Sequence, residues 1–175
     1  ANSSEPWQSQ VLAVADNTDG GGDFSSLSDN LLTASLAAPF TAERVYLSVP
    51  PNVSPSNART AIQNHINSGK LIVNFIGHGA YNQWAGEGLL TSSDISSLAN
   101  GNKLPIMLVM ACNDGYYIYP QNDPVADAMA EALTRAQGKG AIASWSATAL
   151  GLSSGHSPLN QGFMETLLID ENVRL

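Results

Sequence analysis

Five short apolar runs punctuate the chain, at residues 11–15, 45–49, 71–76, 106–111 and 141–145. Each has strand length. Most are apolar at consecutive rather than alternate positions, the pattern of parallel strands covered on both faces. Between them the apolar residues recur at helical spacing. In 25–38 they are Leu27, Leu31, Leu32 and Leu36; in 56–68 they are Ala58, Ala61, Ile62 and Ile66, with Gly69 placed to end the helix. A short helix is predicted over 94–100 with Ser92 or Ser93 as its cap. A longer one is predicted over 123–137, with Asp123 as N-cap, Pro124 at the first helical position and Gly138 past the end. A last helix is predicted over 160–169. Strands alternating with helices predict an α/β fold of three αβα layers around a mainly parallel sheet of five or six strands. The common order for five such strands is 2-1-3-4-5. It sets the first strand beside the third and the third beside the fourth. The loop at 16–23, His78 and Cys112 then meet at the carboxyl edge, where sheets of this kind bind ligands.

Composition narrows the function classes. At 175 residues and 43% hydrophobic, the chain is long enough for one domain with its own core, and residues 1–175 read as a single unit. Fifteen acidic residues against seven basic ones give a net charge of −8. With no Lys/Arg cluster, this argues against nucleic acid and against an anionic membrane surface as partners. No apolar stretch is long enough to span a membrane. One cysteine excludes an intrachain disulfide. The polar start, ANSSEPWQSQ, leads straight into the first strand, and the chain reads as a piece of a longer protein.

The chemistry sits in two strand-end motifs, LIVNFIGHGAYNQW at 71–84 and LPIMLVMACNDGYY at 104–117. The first delivers His78 between two glycines. The second delivers Cys112, the chain's one thiol. An imidazole beside a thiol favours the thiolate, and the thiolate attacks carbonyl carbon. A lone cysteine is more often inert core and a lone histidine more often a turn residue. The same position in the same kind of element is what pairs them. The backbone N–H groups of Gly79 and Cys112 are candidate donors to the oxygen of a tetrahedral intermediate. The loop DNTDGGGDF offers Asp16, Asp19 and Asp23 to orient the imidazole. Ordinary turn chemistry accounts for the same residues, and their oxygens also suit a structural calcium, without the spacing of an EF-hand. Trp145 and Ser144, at the end of the fifth strand, are candidate walls of a substrate pocket. Trp84 is placed to line a groove, and Asp114 to attract a basic substrate side chain. His65 and His156 belong to no pattern.

GHG after an apolar strand, followed 34 positions later by AC-x-x-G-aromatic at the end of another, resembles the gingipain family of cysteine peptidases, in the caspase-like clan. AEALTRAQGKGAIAS at 130–144 resembles that family's next helix and strand. VLAVADNTDGGGDF at 11–24 resembles its acidic strand-loop, and the likeness spans roughly residues 10–170. The resemblance implies a caspase-like fold and a cysteine endopeptidase acting on polypeptide through a Cys112/His78 dyad. It also implies an acid, Asp19 or Asp23, behind His78, and no cofactor or metal. It further implies an extracellular or cell-surface setting and a preceding α/β subdomain of the parent protein as an intramolecular partner. The competing readings are a sorting-type transpeptidase of the same family and a non-catalytic α/β binding module. No Walker lysine, G-x-G-x-x-G, G-x-S-x-G or H-E-x-x-H motif supports a nucleotide, serine-hydrolase or metallohydrolase reading.

Overall fold

Helices cover both faces of a parallel sheet, which is why its strands are apolar at consecutive positions. The computed structural model describes residues 5–118 and 127–169. The sheet is built from β1 (Gln10–Ala15), β2 (Thr41–Tyr46), β3 (Ile72–Ile76), β7 (Ile106–Met110) and β8 (Ala143–Ser146), in the order β2-β1-β3-β7-β8. All four pairings are parallel. This is the expected 2-1-3-4-5 arrangement, with five strands among the described residues. Residues of alternate parity face two separate cores. Leu12, Val14, Val73, Phe75, Met107 and Val109 face α2 (Pro55–Ser68) and α3 (Met129–Arg135). Val11, Ala13, Ile72, Ile76, Leu108 and Met110 face α1 (Phe24–Ser35) and α4 (Ser153–Leu168). Among the described residues no helix is long and apolar enough to cross a membrane.

Several boundaries differ from the sequence expectation. Strand β2 covers Thr41–Tyr46 rather than 45–49, because it is an edge strand whose first four residues stay partly or fully exposed. An apolar run is therefore a poor guide to it. The helix predicted over 94–100 is a 3-10 turn at Ser92–Ser97, capped by Thr91 through a reciprocal box with Asp94. Helix α3 begins at Met129, not at 123; Asp123 and Pro124 lie outside the described residues. Its first-turn amides are satisfied by loop carbonyls, Met129 N–H by Tyr81 and Ala130 N–H by Asp114. Helix α4 begins at Ser153, ahead of the predicted 160, although Pro158 lies inside it. Proline removes one helical donor. Asn160, Met164 and Leu168, each one turn apart, anchor the helix on the sheet nonetheless, and Asn160 exchanges hydrogen bonds with the buried Asn74.

A second, three-stranded antiparallel sheet was not anticipated. Its strands β4 (Gly79–Ala80), β5 (Gln83–Trp84) and β6 (Leu90–Thr91) have two residues each, too few to show a period. It grows directly out of the GHG turn.

Candidate active site

Strand register brings the two motifs together. Ile76 of β3 is opposite Met110 of β7. His78 and Cys112 each lie two residues further along parallel neighbours, so both emerge at the carboxyl edge. They line one cavity of about 110 Å³, together with Phe24 of α1 and Gly151, Leu152 and His156 around the start of α4.

His78 is fixed through its backbone and its ring. Its N–H donates to Asp16 Oδ2 at 3.1 Å, and Asn17 N–H donates to Asp16 Oδ1 at 2.8 Å. Burial is the main influence on Asp16 and raises its pKa above the usual carboxylate value, against the pull of these two amides. Gly77 lets this happen: a Cβ there would stand 2.5 Å from Asp16 Cβ and 2.8 Å from Phe75. The imidazole Nε2 lies 3.0 Å from Asp19 Oδ2 and 3.3 Å from Oδ1. Phe24 meets the ring edge-on, at a centroid separation of 5.3 Å. Gly21 lies against the ring, where a Cβ would come within 2.9 Å of Cε1 and Nε2. The Gly21 N–H, 2.7 Å from Asp19 Oδ1, is the main cause holding Asp19 below the usual carboxylate range, and His78 adds to it. With Nε2–H donated to Asp19, the basic lone pair belongs to Nδ1, which has no hydrogen-bond partner among the described residues.

Cys112 is half-buried. Its Sγ lies 3.5 Å from Gly151 N and 3.6 Å from Gly151 O, and the His156 ring packs over Gly151. No hydrogen bond joins Cys112 to His78. They share a cavity wall. Beside them Gly79 is pressed against the cysteine turn: a Cβ on Gly79 would stand 2.7 Å from Ala111 Cβ, 2.9 Å from Cys112 O and 3.5 Å from Cys112 N. The Gly79 backbone therefore packs directly against the turn that carries the Cys112 N–H.

Other expected site residues go elsewhere. Asp23 does not reach His78. It is the N-cap of α1, accepting from Ser26 N–H at 3.0 Å, Ser26 Oγ at 2.7 Å, Ser25 Oγ at 2.9 Å and Thr18 Oγ1 at 3.2 Å. These donors, the Ser26 amide first, lower its pKa to about 2. An acid just ahead of the FSSL helix start is itself a capping signature. The three loop carboxylates serve three separate tasks, and no group of three or more His, Cys, Asp or Glu side chains among the described residues is arranged to hold a metal. Trp84 and Asp114 do not line a groove; both are fully buried and bonded to each other, Trp84 Nε1 to Asp114 Oδ1 at 2.8 Å. Ser144 bonds to Ser146 Oγ at 2.6 Å and lies outside the cavity. Trp145 sits edge-on to Phe163 and walls a neighbouring hollow that shares Met110 and His156 with the cavity of Cys112. Sequence reading missed Phe24, Gly151 and His156, none of which carried a signal; Asp16, offered there to orient the imidazole, instead holds the His78 backbone N–H.

The model of peptidase family C25 matches residues 1–175. Gingipain R2 of Porphyromonas gingivalis is 30% identical over 141 residues, which cover 78% of this chain and 18% of that protein. Gingipain R1 of the same organism is 28% identical over 141 residues, covering 78% and 13%. The crystal structure of the Arg-specific cysteine proteinase gingipain R superposes with a TM-score of 0.72 at 26% identity, covering 93% of this chain and 37% of that one. A complex of the pro- and mature domains of Porphyromonas gingivalis RgpB gives the same TM-score at 28% identity, covering 94% and 38%. The chain thus spans less than a fifth of these curated relatives and somewhat over a third of the solved chains. A three-layer αβα fold, a histidine and a cysteine on adjacent strand ends, and a family match along the whole chain agree: this chain belongs to peptidase family C25.

Proposed function

We propose that this chain carries the catalytic residues of a cysteine endopeptidase. The observation behind the reading is the cavity shared by Cys112 and a His78 whose Nε2 is held by Asp19. His78 Nδ1 takes the thiol proton, and Sγ attacks the carbonyl carbon of a peptide bond. The carbonyl oxygen becomes an oxyanion facing the N–H groups of Gly79 and Cys112. The imidazolium, stabilised by Asp19, gives its proton to the departing amine as the C–N bond breaks. A thioester remains on Cys112. Water, deprotonated by His78, then attacks it, releasing the acid and restoring the thiol. Asp19 keeps the ring in the tautomer that the first step needs. Approach to Sγ requires the segment at Gly151 to yield, because its peptide groups now flank the sulfur.

The test is Cys112→Ala, which removes the nucleophile and little volume. Peptide hydrolysis disappears while the thermal unfolding curve stays in place. Hydrolysis that persists at the wild-type rate overturns the assignment of the nucleophile.

A further inference from the structure

Asp114 is an unusual residue to find where it is. The side chain is fully buried, and Oδ2 has no hydrogen-bond partner. Oδ1 accepts one bond, from Trp84 Nε1 at 2.8 Å. Burial raises the carboxyl pKa to about 6, with the Ser146 hydroxyl and the indole only partly opposing it. An apolar side chain of similar size would avoid the cost of burying a half-satisfied carboxyl. Its surroundings suggest a task. Asp114 follows Cys112 by two residues, on the turn that carries the Cys112 amide. Trp84 is the register partner of Gly79 in the β4–β5 ladder, and its ring is clamped by a parallel stack on Phe75, 4.8 Å between centroids and 7° between planes. The bond therefore ties the cysteine turn to the residue paired with Gly79. The main-chain groups of both segments are also held by α3, whose first two amides bond to Tyr81 O and Asp114 O.

We propose that Asp114 is a positioning residue of the oxyanion site: through Trp84 it holds the turn bearing the Cys112 N–H against the strand bearing the Gly79 N–H, and so sets the gap between the two donors. The proposal rests on the reading of Cys112 as nucleophile. Asp114 touches neither substrate nor sulfur. Its effect is confined to the step in which carbonyl oxygen becomes charged.

Two reactions of the same thiol separate these effects. Hydrolysis of fluorescein-labelled casein passes through an oxyanion. Alkylation by iodoacetamide does not: the C–S bond forms as iodide leaves. In the full chain, Trp84→Phe and Asp114→Ala should lower casein turnover by roughly 10- to 100-fold, part of what loss of a whole donor costs. Iodoacetamide alkylation of Cys112 at the same pH should not change. Asp114→Asn keeps an acceptor for the indole and should keep turnover near wild type; it also carries the test if Asp114→Ala fails to fold. Normal turnover in Trp84→Phe overturns the proposal. So does alkylation that falls in parallel with turnover, or an Asp114→Asn as slow as Trp84→Phe. Cys112→Ala is the control: turnover that survives it overturns the underlying site reading, whereas turnover lost there but intact in Trp84→Phe overturns the clamp alone.

Discussion

Replacing Gly79 by alanine adds one carbon where its backbone is pressed against the cysteine turn. That carbon would lie 2.7 Å from Ala111 Cβ and 2.9 Å from Cys112 O. Non-bonded carbons rest at about 3.5–4.0 Å, so the two segments must part by about 1 Å. Neither neighbour can swing away, since one is a Cβ and the other a main-chain oxygen. An oxyanion bond is useful at about 2.7–3.1 Å and is lost when the donor retreats by that distance. Loss of one donor costs roughly 10²- to 10³-fold in turnover. Overpacking costs about 1–3 kcal/mol of stability, which a domain of ordinary stability, about 5–15 kcal/mol, survives. Gly79→Ala should therefore unfold at a somewhat lower temperature, remain folded at 25 °C, and turn over peptide at most about a hundredth as fast. Gly86→Ala is the matched control. It sits in the same small-sheet region with no atom near the added carbon and should change neither quantity. Peptide turnover and thermal unfolding, measured on both variants, decide the matter. A Gly79→Ala enzyme as fast as Gly86→Ala would refute the placement of the oxyanion.

Asp19→Asn removes the charge facing His78 Nε2 and should slow turnover by roughly 10- to 10⁴-fold. Asp23→Ala removes only a helix cap and should lower the unfolding temperature without slowing turnover; the reverse outcome in steady-state kinetics would reassign the acid. Asp114→Asn should also alter the pH dependence of stability. The folded carboxyl has its pKa raised from 3.8 to about 6, so between those values the folded state holds a proton that the unfolded state releases. The group's contribution is full below the unfolded value and declines as pH rises through the folded one, by ~3 kcal/mol in all. Asparagine has no such decline, so the stability advantage of Asp114→Asn over wild type should widen from about pH 4 to about pH 6.5. A pH-independent difference in urea unfolding would show that Asp114 does not titrate in that window.

Periodicity and local chemistry carried much of this protein. Near-continuous apolar runs at 11–15, 71–76 (interrupted only by Asn74) and 106–111 specify strands covered on both faces, because a parallel strand has no solvent side. Strand-helix alternation then limits the strand order to a few choices, and His78 and Cys112 follow because each is placed by the strand just before it. Side-chain destinations across the fold were not legible. Asp19 and Asp23 stand four residues apart in one polar loop with the same chemistry. Only the turn at Gly21 and the docking of α1 send one to His78 and the other to a helix cap. From the motifs, Trp84 read as lining a groove and Asp114 as attracting a basic substrate side chain. The pairing of β5 with β4, 30 positions from Asp114, buries both and joins them. Gly151 and His156 reach the cavity because α4 begins before Pro158 and packs on the sheet. Local sequence constrains backbone form through sterics and burial within a few residues. Which polar groups meet is decided by packing between segments far apart in the chain, where no period reports it.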